Sequence, residues 1–185
     1  MMNRLITDAH TSQLVLIDLQ AKLATVMPNE AMQTTIQNTR VLLQAANILS
    51  ITTLFTEQYP KGLGHTISEL LVFLDAKSAI EKTAFSCLNE PKFKNKLCRE
   101  KPQIILAGME AHICVLQTAL DLMASNHQVF IAEDAIISRH TAHKANAIAR
   151  MREADCIISN TESICFEWLG KGEGDAFKAI SKWIR

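Results

Sequence analysis

The chain has 185 residues, which suits one domain with a sizeable core (residues 1–185). Its 19 basic and 19 acidic side chains cancel, so there is no basic stripe for nucleic acid or an anionic membrane, and no acidic solvating tail. No apolar run approaches the length of a bilayer span, MMNRLITDAH lacks the apolar core and cleavage site of a secretory leader, and five cysteines at irregular spacing make a disulfide framework improbable, so the expected compartment is the reducing cytoplasm.

Residues 13–17, QLVLI, form a continuous apolar run ending at Asp18 and read as a central parallel strand. Residues 19–29 read as a loop, and Glu30 to Leu49 as a long amphipathic helix carrying Met32, Ile36, Val41, Leu42, Ala45 and Leu49. Residues 51–55, ITTLF, are a second strand, and Thr56 to Gly64, rich in turn formers, the loop after it. A short helix follows over 66–74, then a weak third strand over 77–81 ending at Lys82, then a helix over 91–99 with Pro91 in its first turn. Strand four is 103–107, and an apolar repeat through Ile113, Leu116, Leu120 and Met123 predicts a helix to about Ala124. Strand five is 128–132, followed by the acidic pair Glu133 and Asp134. A helix over 140–153, a sixth strand over 155–159 and helices over 161–169 and 175–184 complete the chain. The alternation predicts an α/β fold of three layers, a doubly wound parallel sheet with helices on both faces.

In such a sheet ligands bind beyond the carboxyl ends of the strands, where strand order reverses. Asp18, Lys82 and Cys114 each fall at such an end. Taken singly they are ordinary: a post-strand aspartate caps or turns, a lysine is solvated, and a cysteine packs as a small apolar residue. Cys87, Cys98, Cys156 and Cys165 are read as buried and inert in that way. Together the three make a nucleophilic site, with an acid to take the thiol proton, a cation to hold the pair, and a sulfur near a helix start, where its thiolate is favoured.

The segments LVLIDLQ, EKTAFSCL, GMEAHICVLQTALDL and VFIAEDA, in that order and spacing, resemble the isochorismatase-like cysteine hydrolases, which include nicotinamidases and N-carbamoylsarcosine amidase. The resemblance covers about residues 10–170, and Gly108 to Ala119 is its most specific part. It implies a six-stranded parallel sheet and an Asp-Lys-Cys triad at Asp18, Lys82 and Cys114. It also implies a cis peptide at Met109–Glu110 and an oxyanion hole from the backbone N–H groups of Glu110 and Cys114. The implied reaction is hydrolysis of a small amide or related C–N bond through a thioester, on an unknown small-molecule substrate, by a homo-oligomer. Trp168 and Trp183 pack on a neighbour or finish the core.

Nicotinamidases of this family carry an Asp-x-His metal pattern after strand two. Here Thr56-Glu57-Gln58-Tyr59 stands instead, so no metal or other cofactor is expected. This loop resembles a metal-free subgroup, in which Gln20, Glu57, Gln58, Tyr59 and Phe85 are candidates for the substrate pocket, with plain packing an equal reading for the two aromatics. His112 is a further pocket candidate two residues before Cys114, while His140 and His143 read as helix surface. Cys114 argues against vinyl-ether hydrolysis, whose enzymes lack the cysteine. The absence of G-x-G-x-x-G after strand one argues against dinucleotide binding. The alternative to an enzyme is an interaction or thiol-sensing scaffold that keeps the fold.

Overall fold

A computed structural model of the chain describes residues 5–184; the first four residues of the stretch read for a leader lie outside them. The elements run β1 (Ser12–Ile17), α1 (Ala21–Ala24), α2 (Asn29–Ile48), β2 (Thr52–Gln58), α3 (Pro60–Leu63), α4 (Ser68–Leu71), β3 (Ile80–Lys82), α5 (Pro91–Lys96), β4 (Gln103–Met109), α6 (Leu116–Ala124), β5 (Gln128–Ile137), α7 (Thr141–Glu153), β6 (Ile157–Ser159), α8 (Thr161–Leu169) and α9 (Gly174–Ile180). All strand pairings are parallel, in the order β3-β2-β1-β4-β5-β6. This is the predicted doubly wound sheet, and its order reverses between β1 and β4, so the rim beyond those two strands is the switch point.

The apolar runs explain the layers. Successive side chains of a strand leave on opposite faces. Leu14 and Leu16 of β1 join a core with Val41, Leu42 and Ala45 of α2 and Ile164 and Trp168 of α8. Val15 and Ile17 join a second core with Phe93 of α5, Leu116 and Ala119 of α6 and Met151 of α7. A strand apolar on both sides is stable only when both sides are covered, which is what the helices do. Trp168 finishes the first core, 5% exposed, with its indole N–H donating to Ser12 Oγ at 3.0 Å. Trp183 packs partly buried against the same core. No helix among the described residues is long and apolar enough to cross a membrane.

Several boundaries differ from the sequence reading, each for a tertiary reason. Thr56, Glu57 and Gln58 are not a loop but the end of β2. Thr56 pairs with Ile17 on one side and Ile80 on the other, and that double pairing overrides the polar composition. β5 does not stop at Ala132 but runs to Ile137. Leu106 pairs with Ile131 while Gly108 pairs with Ile136, so β5 bulges and carries the acidic pair within it. There Asp134 Oδ1 accepts from Thr161 N and Oγ1, both at 2.9 Å, and so holds the start of α8. The third strand is displaced to Ile80–Lys82, because Asp75 caps a 3-10 turn over Ala76–Ser78. The predicted helix over 66–74 shortens to Ser68–Leu71. Cys98 is half-buried, whereas Cys87, Cys114, Cys156 and Cys165 are buried.

Candidate active site

The site is built where β1 and β4 end side by side. Gly108 makes this possible: its φ is +129°, and a Cβ there would run into the Ile17 carbonyl oxygen. β1 ends as Asp18 turns left-handed, with φ 51°, a conformation that aspartate tolerates better than most residues. Its backbone N–H donates to Thr56 O at 3.2 Å, and its carboxylate lies fully buried beside β2.

Lys82 arrives from the edge strand. β2 lies between β3 and β1, so the lysine stem must pass over β2 to reach Asp18. It does so with its side chain completely buried, and Nζ donates to Asp18 Oδ2 at 2.7 Å. The ammonium also donates to Gln58 Oε1 at 2.6 Å and to the Ala84 and Phe85 carbonyls at 3.2 Å. Burial is the largest single influence and pulls the lysine down, but the Asp18 carboxylate and the nearby Cys87 and Cys114 sulfurs together outweigh it and hold Lys82 above the ordinary lysine range. The other carboxylate oxygen, Oδ1, accepts from Thr56 Oγ1 at 2.7 Å.

Cys114 sits in a π-helical turn, Ala111–Val115, between β4 and α6. The Met109–Glu110 peptide is cis, where the resemblance put it. Glu110 O accepts from Ile113 N at 3.0 Å and Val115 N at 3.3 Å, which fixes the turn around the cysteine. The thiol is 6% exposed. Burial pushes its ionisation up, and the charge of Asp18 and a hydrogen bond to it push the same way, against a smaller opposing pull from Lys82. The site therefore favours the protonated sulfur over the thiolate expected from its position. The Lys82 charge is already neutralised by Asp18, and an ionised sulfur would leave a net negative charge in a dry site.

The structure brings Asp18, Lys82 and Cys114 together and distributes the other candidates differently. Gln20 is fully buried: its Nε2 donates to Gln58 O at 3.0 Å and Gly64 O at 2.5 Å, and its Oε1 accepts from Gln58 N at 2.7 Å. Glu57 is likewise interior, with Oε1 accepting from Thr66 N at 2.7 Å and Thr66 Oγ1 at 2.8 Å, and Oε2 2.9 Å from His65 Nδ1. Both were expected at a substrate mouth; both instead brace the loop after β2 from inside. Gln58 has both ends of its amide engaged, with Lys82 and with Thr83 O at 2.7 Å. Tyr59 and Phe85 are more than half exposed. Tyr59 lines a hollow of about 350 Å³ with Lys82 and Thr83, while a larger groove of about 550 Å³ lies between the starts of α2 and α7. Neither hollow is lined by Asp18 or Cys114, so the site is located by its charges rather than by open volume. His112 Nδ1 lies 3.0 Å from Ser138 Oγ, and its ring centroid is 4.6 Å from that of His143, which in turn meets His140 at 4.9 Å. Burial, helped by the neighbouring His143 and Arg139, outweighs Glu110 and lowers His112 below the ordinary histidine range. Among the described residues no group of three or more His, Cys, Asp or Glu side chains is placed to hold a metal ion.

The sequence profile of the isochorismatase domain matches residues 12–163, a span that opens on β1 and contains all three site residues. The chain belongs to the isochorismatase family. Isochorismatase family protein 1B of Dictyostelium discoideum is 33% identical over 175 residues, covering 92% of this chain and 84% of that protein. Isochorismatase domain-containing protein 2 of Bos taurus is 33% identical over 178 residues, covering 95% and 83%. A solved structure described as MAR1 ribonuclease from Caenorhabditis elegans superposes with a TM-score of 0.89 at 36% identity, covering 97% of this chain and 92% of that one. Membership of the isochorismatase family suggests a hydrolase. Within this family member the residue that sequence reasoning missed is Thr56, which grips Asp18 through both backbone and side chain.

Proposed function

We propose that this isochorismatase-family chain is a metal-independent cysteine hydrolase of a small amide or related C–N bond. The observation that carries the reading is the buried Asp18–Lys82 pair at 2.7 Å, with the Cys114 thiol near enough to feel the charge of the same carboxylate. Asp18 takes the thiol proton as sulfur attacks the carbonyl carbon. The carbonyl π electrons move to oxygen, and the backbone N–H groups of Glu110 and Cys114 stabilise that oxyanion. When the tetrahedral intermediate collapses, the C–N bond breaks and Asp18 returns the proton to the leaving nitrogen, leaving an acyl thioester on Cys114. A water molecule, deprotonated by Asp18, then attacks the thioester and releases the acid and the free thiol. Lys82 keeps Asp18 charged between steps and stays protonated throughout. Tyr59, Phe85 and His112 are the remaining candidates for contact with substrate. The active form is taken to be a homo-oligomer, which light scattering on the purified chain reads directly.

A panel of small amides and carbamoyl compounds tests this, with Cys114→Ala and Asp18→Asn as controls and a chelator in parallel. Turnover abolished by either substitution and indifferent to the chelator is the expected result. Turnover that survives Cys114→Ala would overturn the mechanism, and silence across the panel would favour a binding scaffold. RNA belongs in the same panel, because the 36%-identical C. elegans protein is described as a ribonuclease. The balance of 19 basic and 19 acidic residues supplies no electrostatic footprint for that substrate.

A further inference from the structure

The catalytic reading leaves Thr56 without a role, although its contacts are unusual for a strand threonine. Thr56 is 1% exposed and sits on β2, the strand over which Lys82 reaches Asp18. It holds Asp18 twice. Its carbonyl accepts the Asp18 N–H at 3.2 Å, and its hydroxyl donates to Asp18 Oδ1 at 2.7 Å. The direction of that second bond is fixed, since a carboxylate only accepts. The other contact at the hydroxyl is Cys87 Sγ at 3.9 Å, a weak donor whose thiol is pushed up to about 11 and stays neutral. Gln58, two residues on and therefore on the same face of β2, makes the matching contact on the ammonium of Lys82. β2 thus touches both charges of the pair.

We propose that Thr56 is a positioning residue that holds the Asp18 carboxylate oriented toward Cys114. The proposal rests on the reading of Asp18 as the base for Cys114. The bond to Oδ1 and the Lys82 bond to Oδ2 together occupy one lone pair on each oxygen. They fix the carboxylate plane, and so the lone pair left for the thiol proton. A donor to the charged form also favours that form. The charged and titratable groups that act on Cys114 include Asp18, Lys82 from β3 and Cys87 from the turn Cys87–Asn89.

The test uses the full chain with Cys98→Ser, which removes the half-buried thiol, and follows Cys114 alkylation by iodoacetamide across pH by mass spectrometry. The parent is expected to show an acid limb where the base becomes protonated, and Asp18→Asn to remove it. Thr56→Val, which replaces the hydroxyl by a methyl of similar size, is expected to move that limb up by about one pH unit. Thr56→Ser is expected to restore it. If valine does not fold, Thr56→Ala removes the same hydroxyl and carries the test. A valine or alanine profile that superimposes on the parent overturns the role of Thr56 while leaving the base reading intact. An acid limb that persists in Asp18→Asn overturns the base reading instead. A substitution that merely loosened the strand would slow or speed alkylation at every pH without moving the limb.

Discussion

Replacing Lys82 by methionine separates the energetics of the site from its chemistry. The stem keeps its length and the ammonium is lost from a place where neither partner's side chain is exposed. At 2.7 Å the pair attracts by about 6 kcal/mol if the effective dielectric is about 20. Part of that is offset by the cost of drying the lysine, which the variant no longer bears. What remains is a carboxylate inside the protein with the Thr56 hydroxyl as its side-chain donor, and stranding one member of a buried pair costs about 3–5 kcal/mol. In a chain of this size that lowers Tm by about 6–20 °C. Urea unfolding followed by circular dichroism at neutral pH measures the loss. Lowering the pH should narrow the gap to wild type, because the stranded carboxylate can then take a proton. The double variant Asp18→Asn with Lys82→Met removes both charges and should recover most of the loss. A single variant within about 1 kcal/mol of wild type, or a double variant no more stable than the single, would refute the picture of a dry, mutually dependent pair.

The rest of the fold offers independent checks. His65, raised by its contact with Glu57, adds stability that is fully present below its unfolded value of 6.5 and is lost as pH rises through the folded value. Glu57 is lowered: burial alone would raise it, but the bonds from His65 and Thr66 outweigh that. Its contribution is present above 4.5 and lost as pH falls through the folded value. The Tm difference between wild type and His65→Ala should therefore be largest between 4.5 and 6.5 and fade toward pH 8; a difference that grows with pH would contradict it. Phe93→Ala empties a fully buried ring site and should cost about 3–5 kcal/mol in urea unfolding. Gly108→Ala drives a methyl into the Ile17 backbone and should cost more than about 4 kcal/mol, or leave no folded protein in a thermal melt. Thiol labelling of the native chain should find Cys98 first, since burial pushes Cys87 and Cys156 up to about 11 and Cys165 up to about 12, and denaturant should erase the order.

Which parts of this were legible in the sequence follows from what a local pattern can carry. β1 and β4 announce themselves because both faces of each are apolar, and an apolar run needs no partner to be recognised. The end of β2 does not, because Thr56-Glu57-Gln58 is strand only by virtue of its partners: Thr56 pairs with β1 and β3, and Glu57 and Gln58 pair with β3. The same blindness misplaced Gln20 and Glu57. Polar residues in a turn-rich stretch read as surface, and nothing local reveals that the partners of Gln20 lie at Gly64 and Gln58 or that Glu57 bonds the backbone at Thr66. Asp18, Lys82 and Cys114 were visible as isolated chemistry at strand ends; Thr56 was not, since a threonine in a strand is the ordinary case.

The charge state of the sulfur was beyond the sequence for a different reason. A helix start and a nearby lysine both argue for a thiolate, and each argument is sound alone. They fail here because the lysine is already matched. Asp18 and Lys82 cancel, so the site is electrically neutral only while Cys114 keeps its proton, and burial penalises any other arrangement. A proton that cannot leave for water without leaving a net charge behind can still move to Asp18, which keeps the total unchanged. Neutrality therefore ties deprotonation of the sulfur to the moment of attack. It also makes the carboxylate, not the intrinsic acidity of the thiol, the group that decides when Cys114 can react.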